Sequence, residues 1–271
     1  MTIDAPNFRR LVAPPGYTRR VDVPLDLVEE NLRRGFRIDP MPDDRAEIAN
    51  ALAGSLVGRS ALCMASGPSM VAWPYEDLSA LASLCTCWAT NNAYEACGGL
   101  PVPRCHYLTI LDSDFWDRNR AAIRKFEGET GCLPCLCFQP SEAIRYMQLA
   151  IPFSKTPESD PPYQPGHYWH GNSSGVAAVQ MALHARPRRV FLLGHDCTVA
   201  GGRTHGSGVR SSDELRQKYP QGRNMLAGYS LLAKHAAQLG VEIYNLSPWS
   251  AVKDFPVLSI KQAVELARKN A

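Results

Sequence analysis

The chain has 271 residues, of which 45% are hydrophobic and 20% are charged, and its formal net charge at pH 7 is +3. These values are ordinary for a soluble globular protein with a well-buried core. A charge of +3 is too small for a nucleic-acid-binding surface, although it suits a partner that is a phosphorylated small molecule.

Targeting signals and disulfides are not indicated. No apolar run approaches the roughly 20 residues of a membrane helix, and residues 1–17 lack the apolar core of a secretory signal. We therefore expect a cytoplasmic protein without a membrane span. Nine cysteines, an odd number, argue against a disulfide framework. Cys132 and Cys135 form a CxxC without a second half, so we interpret most cysteines as small core residues on strands.

The chain is interpreted as an N-terminal arm with helices, residues 1–57, followed by a Rossmann-like nucleotide-binding domain, residues 58–271. Residues 1–22 are rich in Pro and Arg, which predicts an extended arm. Apolar residues at helical spacing predict helices over 23–34 and 43–56.

Strands and helices alternate after residue 58, which predicts an α/β fold with a mostly parallel sheet and helices on both faces. The predicted strands are 60–65, 86–90, 106–111, 132–138, 190–193 and 241–246. The predicted helices are 77–84, 115–126, 141–150, one that opens at 172–175, 224–239 and 259–268. Residues 151–169 are irregular and rich in Pro, aromatic residues and His, which is typical of a lid, an acceptor platform or a surface connector.

The turns after the first two strands carry residues suited to a ligand. Gly67, in Gly67-Pro68-Ser69, allows close backbone approach, and Ser69 suits capping of the next segment. Asn91 and Asn92 follow the second strand. Their amides suit recognition of a base edge or a ribose, and they equally suit capping of a turn.

Two carboxylates follow the third strand. Asp112 and Asp114 straddle the strand end and offer the oxygen ligands that Mg²⁺ prefers. The alternative is that one of them caps the helix that follows.

The stretch from Gly171 to Thr198 is the one around which we expect the rest of the chain to form a nucleotide pocket. Ser173, Ser174 and Gly175 open a helix, and the free N–H groups and positive dipole of such a helix start suit a phosphate. The next strand breaks at Gly194 and delivers His195 and Asp196 to its carboxyl end, where open α/β sheets bind their ligands.

A glycine-rich loop over residues 200–208 follows this strand. Arg203 in it suits pairing with a phosphate. His205 suits proton transfer near neutral pH, and a histidine in so glycine-rich a loop favours function over packing.

Three sequence stretches in this order resemble a known family: MASGPSM at 64–70, NSSGVAAVQMAL with RRVFLLGHDC at 172–197, and GVEIYNLSPWSAV with FP at 240–256. They resemble the MptE-like superfamily, which joins archaeal-type 6-hydroxymethyl-dihydropterin pyrophosphokinases to flagellin-glycosylation-associated proteins. They also resemble the related bacterial sialyltransferases that use CMP-sialic acid. The GGRTH loop looks like a variant found in phage and prophage proteins.

This resemblance implies nucleotide contacts for two sets of residues. They are the GPS turn with the asparagines, and the Ser174-Gly175 turn with the strand end Gly194-His195-Asp196. The sialyltransferases carry a catalytic histidine just before the penultimate helix, where this chain has 221–224 without one. Either His205 replaces that histidine or the chemistry differs. In the pyrophosphokinase branch, which uses ATP and Mg²⁺, the carboxylates would be the metal ligands.

The sequence therefore favours a nucleotide-dependent transferase of the glycosyltransferase type, with a CMP-type nucleotide sugar as donor. The catalytic candidates are His205, His195 and Asp196. A Mg²⁺-dependent pyrophosphokinase or nucleotidyl transferase and a non-catalytic nucleotide-binding protein are the alternatives. The partner is a small-molecule nucleotide, a homo-oligomer is compatible with the sequence, and the acceptor is not identified by it.

Overall fold

The structure is a computed structural model of the chain. It describes residues 8–12, 20–24, 37–38, 54–95, 102–111, 113–130, 132–136, 154–155, 167–168, 173–198 and 222–269. The strands are β1 (Phe8–Val12), β2 (Arg20–Pro24), β3 (Arg37–Ile38), β4 (Ser60–Met64), β5 (Cys85–Thr90), β6 (Tyr107–Ile110), β7 (Leu133–Leu136), β8 (Ser154–Lys155), β9 (His167–Tyr168), β10 (Arg189–Leu193) and β11 (Glu242–Asn245). The helices are α1 (Tyr75–Ser83), α2 (Ser113–Thr130), α3 (Ser174–His184), α4 (Gly222–Leu239) and α5 (Ile260–Arg268).

Six strands form one parallel sheet in the order β11-β10-β4-β5-β6-β7. The chain adds strands on one side of β4 as far as β7, and then crosses back to place β10 on the other side of β4. Strand order therefore reverses between β4 and β10, and the carboxyl ends of these two strands flank the topological switch point where such sheets bind ligands.

Both faces of this sheet are covered, as a parallel sheet requires. Leu62 and Met64 of β4 pack in the cluster that includes residues of α1, α2 and α5. Ala61 and Cys63, which point to the other face, pack with residues of α3 and α4. The predicted α/β, Rossmann-like fold with helices on both faces is thereby confirmed.

Helix α3 lies against this second face and is buried along nearly its whole length. Every residue from Gly175 to Leu183 is buried, because the helix contacts β4 and β5 on one side and α4 on the other. A helix with so many small and apolar residues is fixed in position by packing on several sides. Its amino end is accordingly held at one place on the sheet edge.

Two N-terminal predictions differ from the structure. Residues 8–12 and 20–24 pair as antiparallel strands, with β3 on the other side of β1, where the sequence predicted an extended arm. Val23 and Pro24 belong to β2 and not to a helix, and residues 54–58 form a turn where the predicted second helix ended. Strand pairing satisfies the backbone N–H and C=O groups of residues 8–12 and 20–24. The sequence of the Arg-rich arm did not indicate this pairing.

Several other predictions lie outside the described residues. These are the helix over 141–150, most of the helix over 43–56, and most of the irregular stretch over 151–169. The division into residues 1–57 and 58–271 stays a prediction. Within the described part of the chain, no helix combines the length and the apolar character needed to cross a membrane.

Five of the described cysteines confirm the interpretation as core residues, whereas Cys197, after β10, is partly exposed. Cys63, Cys85, Cys87, Cys105 and Cys132 are free and buried. The Sγ atom of Cys132, just before β7, lies 3.1 Å from that of Cys105, just before β6. Burial raises the pKa of the Cys105 thiol well above its usual value, and also that of Cys85, to about 12.

Candidate functional site

The turns that leave β4 and β10 are bonded directly to each other at the switch point. The N–H of Gly67 donates to the carbonyl oxygen of Gly194 over 2.9 Å. The hydroxyl of Ser69 accepts from the N–H of Gly194 over 2.9 Å, and the N–H of Ser69 donates to Oδ2 of Asp196 over 2.8 Å. Ser69 and Asp196 are both buried. Hydrogen bonds therefore join the turn after β4 and the turn after β10 into one structural unit.

Glycine is required in this unit by contacts within the protein. A Cβ atom on Gly67 would overlap Oδ2 of Asp196 and the carbonyl oxygen of Gly194. Gly194 has φ +74° and faces the carbonyl of Ala65, a backbone conformation that favours glycine. We expected Gly67 to make room for a ligand, but the space beside it is taken by Asp196.

The amino end of α3 lies beside the end of β5. The Ser173 hydroxyl accepts from the N–H of Val176 over 3.4 Å, which makes Ser173 the N-cap. The N–H groups of Ser174 and Gly175 have no acceptor within the helix, as at any helix start. Nδ2 of Asn91 donates to the Ser174 hydroxyl over 3.1 Å, and so joins the second predicted turn to the third.

Asn91 has a left-handed backbone with φ +46°, a conformation that asparagine tolerates better than most residues. It opens a 3₁₀ turn, Asn91–Glu95, which also contains Asn92. The strained backbone aims the Asn91 side chain at α3. Ser174 therefore has an amide neighbour at the position where the helix dipole is most positive.

His195 is 1% exposed and is enclosed by α3 and α4. Its Nδ1 lies 2.8 Å from the hydroxyl of Tyr229 on α4. A Cβ atom on Gly175 would come within 2.8 Å of that hydroxyl and 3.0 Å of Nδ1, so glycine at this position lets α3 pack on the pair. Burial lowers the pKa of His195 to about 4. The imidazole is therefore neutral at pH 7.

The Tyr229 hydroxyl also interacts with the side chains of Ser173 and Cys197. Burial raises the pKa of Tyr229 well above its usual value, so the phenol keeps its proton. One hydroxyl thus connects α4 to the N-cap of α3 and to the segment after β10. The sequence pattern placed Tyr229 in a helix and gave it no role. The signal available in the sequence is a tyrosine among the apolar residues of a helix, because a buried tyrosine hydroxyl needs a hydrogen-bond partner.

Ser250, which follows β11, is a further residue at this edge that the sequence pattern does not indicate. Its hydroxyl lies 2.9 Å from the carbonyl oxygen of His195 and 3.3 Å from that of Asp196, and the N–H of Ala251 donates to the latter carbonyl over 2.7 Å. The backbone of the His195-Asp196 segment is therefore held from two sides, by the turn after β4 and by the turn after β11.

Three buried oxygens at this edge have no hydrogen-bond partner among the described residues: Oδ1 of Asn91, Oδ1 of Asp196 and Oγ of Ser247. Nε2 of His195 also has none. Buried acceptors without donors are uncommon and costly in proteins. A ligand with N–H or O–H donors would satisfy them, whereas the free N–H groups of α3 call for an anion. The edge therefore carries both acceptors and donors.

Asp196, after β10, lies too far along the sheet to share one Mg²⁺ ion with carboxylates at the end of β6, and the site predicted at Asp112 and Asp114 stays a prediction. Strands β6 and β10 are separated by β4 and β5, so their ends lie roughly 14 Å apart at the usual strand spacing. No group of three or more His, Cys, Asp or Glu residues able to hold a metal occurs in the described part of the chain. Asp112 and the side chain of Asp114, which is in α2, lie outside the described residues.

The structure thus brings most of the predicted site residues to one edge of the sheet. Arg203 and His205 lie outside the described residues, and the catalytic and nucleotide-binding roles stay predictions. The residues at the carboxyl edge are Gly67, Pro68, Ser69, Asn91, Asn92, Ser173, Ser174, Gly175, Gly194, His195 and Asp196.

Comparisons with known proteins find similarity in solved structures. The sialyltransferase CstII from Campylobacter jejuni, in complex with the substrate analogue CMP-3FNeuAc, is 13% identical with a TM-score of 0.42. That match covers 74% of this chain and 86% of the CstII chain. CstII with a trisaccharide acceptor and CMP gives the same identity and the same coverages, with a TM-score of 0.46.

A short chain dehydrogenase from Mycobacterium smegmatis is 14% identical with a TM-score of 0.25, and the match covers 80% of this chain and 88% of that one. No family model matches the sequence. No curated protein matches it either. Identities and TM-scores in this range do not extend the activity of a neighbour to this chain.

Proposed function

We propose that this chain is a nucleotide-dependent transferase of the glycosyltransferase type, which binds a nucleotide-activated sugar at the carboxyl edge of the sheet. The observation that carries the proposal is a set of contacts that joins the turns after β4, β5 and β10 with the amino end of α3. The turn after β4 bonds to the turn after β10, and Asn91, after β5, bonds to Ser174. All three lie at or beside the switch point of the sheet.

The chemistry of this edge matches the parts of a mononucleotide. The N–H groups of Ser174 and Gly175, at the positive end of the α3 dipole, suit a phosphate. The partnerless oxygens of Asn91 and Asp196 suit donors of a ribose or a base. A cytosine carries a single exocyclic amino donor next to acceptors, so a CMP-type nucleotide fits this mixture, as the resemblance to the sialyltransferases implies.

In the proposed reaction, the bond between the sugar carbon and the phosphate oxygen breaks, and a bond from that carbon to an acceptor hydroxyl oxygen forms. The nucleotide phosphate leaves with the bonding electron pair, and the N–H groups of α3 stabilise its charge. Arg203 is proposed to add a cationic contact to the same phosphate. The acceptor proton passes to a base, for which we propose His205.

His195 is less suited to be that base than His205. An imidazole with a pKa of about 4 holds little of its protonated form at pH 7 and is a weak base, and the ring is enclosed by Tyr229 and Gly175. We propose that His195 instead orients the strand end that carries Asp196. The acceptor and the sugar are not defined by these residues.

The test uses a substitution that changes the charge at the start of α3. A Glu at the first turn of a helix is favourable for the helix itself, so Ser174→Glu should fold normally while its carboxylate repels a phosphate. The matched control is Lys261→Glu, an exposed position in the first turn of α5. Thermal unfolding is measured with CMP, CDP, UDP, ADP and ATP, with Mg²⁺ or with EDTA.

We expect CMP-type nucleotides to raise the Tm of the wild type by several degrees at saturating concentration, because a ligand that binds only the folded state stabilises it. Ser174→Glu should abolish this rise and Lys261→Glu should keep it. Release of CMP from CMP-activated sugars, without Mg²⁺, then tests the transfer. A wild type that responds to no nucleotide, or a Ser174→Glu variant that responds fully, would overturn the proposal. A response to ATP that needs Mg²⁺ would support the pyrophosphokinase alternative.

A further inference from the structure

A concave site lies at the amino ends of the strands, on the opposite side of the sheet from the nucleotide site proposed above. It is a cavity of about 420 Å³ at the amino end of β6, next to the end of α2. The volume falls within the range of small-molecule sites. Its lining residues are Val102, Pro103, Arg104, Cys105, His106, Tyr107 and Thr130. Strand β6 separates this cavity from the carboxyl edge, so it is not part of the nucleotide site proposed above.

The protonation state of His106 in this cavity follows from one hydrogen bond. The backbone N–H of Cys87 donates to Nδ1 of His106 over 2.9 Å. Because a backbone N–H can only donate, Nδ1 must be the unprotonated nitrogen, and the proton of the neutral ring is on Nε2. Burial and the charge of Arg104 both lower the pKa of His106, which agrees with a neutral ring. His106 therefore presents a fixed N–H donor.

Arg104 supplies a positive charge without a counterion. It is exposed, it forms no ion pair within the described part of the chain, and none of the described residues that line the cavity is acidic. Its charge acts on His106 and also on Cys87. A guanidinium presents several N–H donors in a fixed plane that matches carboxylate and phosphate groups. Two sets of donors thus line one cavity without an acidic partner.

The remaining walls are apolar or already satisfied. The Thr130 hydroxyl donates to the carbonyl oxygen of Phe126 and accepts from the N–H of Cys132. Its hydrogen bonds are therefore made within the protein, at the end of α2. The Tyr107 ring stacks on Trp88 at a centroid distance of 4.7 Å, which fixes the ring as a rigid wall. Val102 and Pro103 complete an apolar side. The cavity therefore combines a cationic end with an apolar wall.

We propose that this cavity binds the oxyanion group of a small molecule, a carboxylate or a phosphate, through the guanidinium of Arg104 and Nε2–H of His106. The apolar body of the ligand lies against Tyr107 and Pro103. This second site stands independently of the transferase activity proposed above, because none of its residues belongs to the carboxyl edge.

The experiment measures thermal unfolding with inorganic phosphate, with citrate and with acetate, each against sodium chloride at the same ionic strength. Because the start of α3 also suits phosphate, the series is run in the Ser174→Glu variant, which removes that contribution. Arg104→Gln deletes the charge in the cavity. Arg120→Gln is the matched control, since Arg120 is an exposed arginine on α2 outside the lining.

We expect at least one of the three anions to raise the Tm beyond the effect of sodium chloride. Arg104→Gln should reduce that rise several-fold, and Arg120→Gln should leave it unchanged. A response to phosphate alone identifies a phosphate ligand, and a response to citrate or acetate alone identifies a carboxylate. Amide chemical shifts of Cys87 and Tyr107 should move in the same titration. Equal responses in Arg104→Gln and Arg120→Gln, or no anion effect beyond ionic strength, would overturn the proposal.

Discussion

The backbone N–H of Ser69 donates a 2.8 Å hydrogen bond to Oδ2 of Asp196 and so joins two turns separated by 127 positions in sequence. Asp196→Ala removes the acceptor and leaves a buried N–H without a partner, which typically costs about 1–3 kcal/mol. Asp196→Asn retains an oxygen acceptor, so we expect its free energy of unfolding to fall by less than that of Asp196→Ala. Urea unfolding measures both variants.

The control for this prediction is Asp254, an exposed carboxylate that accepts from the Ser230 hydroxyl over 2.7 Å. Asp254→Ala should change the free energy of unfolding by about 0.5 kcal/mol or less, as exposed substitutions usually do. An Asp196→Ala variant as stable as Asp254→Ala would show that the link between the two turns contributes nothing.

Gly67 and Gly240 should respond differently to alanine. Gly67 has an ordinary negative φ of −66°, but a Cβ there overlaps Asp196 and Gly194. Gly240 has φ +66°, and a methyl group added to it would meet no atom within 4 Å. We expect Gly240→Ala to cost about 1–2 kcal/mol from backbone strain alone. Gly67→Ala should cost more, because two rigid neighbours must move. The reverse order in chemical unfolding would contradict this account.

The buried imidazole of His195 predicts a pH dependence. Its pKa in the folded protein is about 4, against an ordinary value of 6.5. Between these values the unfolded chain binds a proton and the folded chain does not. The contribution of His195 to stability is therefore complete above pH 6.5 and is lost as the pH falls toward 4, by on the order of 3 kcal/mol.

The measurement compares the free energy of unfolding at pH 7.0 and pH 4.5 in the wild type and in His195→Asn. Other groups titrate in both proteins, so the difference between the two slopes reports His195. We expect a shallower slope in the variant. His235→Asn, at a half-buried position on α4, controls for the loss of a histidine. Equal slopes in all three proteins would rule out a neutral, buried His195.

Tyr229→Phe removes only the hydroxyl that faces Nδ1 of His195 at 2.8 Å. Because Ser173 and Cys197 also interact with it, we expect a loss of about 1–3 kcal/mol in stability. We also expect weaker nucleotide binding, since the N-cap of α3 loses support. Tyr244→Phe, in β11, is the control. It also removes a tyrosine hydroxyl, while the stacking of the ring on Phe191, at a centroid distance of 6.0 Å, can be kept by phenylalanine. Equal Tm values and equal nucleotide responses in the two variants would contradict the prediction.

The sequence was sufficient for the central sheet, because its strands are short apolar runs bounded by turn residues. Arg189–Leu193 is buried at all five positions, as is Ser60–Met64. The strands β1 and β2 were not predictable in the same way. Val21 and Val23 alternate with polar residues in β2, but β1 has no such alternation. The pairing of the two strands across residues 13–19 is not encoded by either segment alone.

The candidate site was predictable in outline and not in detail. Glycine, serine and asparagine at strand ends indicated Gly67, Asn91 and Ser174, because parallel strands carry their ligand-binding turns on one edge. The partner of Gly67 is Asp196, a contact that only the fold creates. Tyr229 sits among apolar residues at helical spacing, so its hydroxyl was hidden within a core pattern.

The crossing of the chain from β7 back to β10 also has a consequence for biosynthesis. On the ribosome, β4 emerges early and gains β5 soon afterwards, but its other neighbour begins only at Arg189. Until that strand is made, one side of β4 presents open N–H and C=O groups, the kind of edge that pairs with foreign strands. Nascent chains that end before Arg189 should therefore aggregate or recruit chaperones, and release from them should coincide with synthesis of β10.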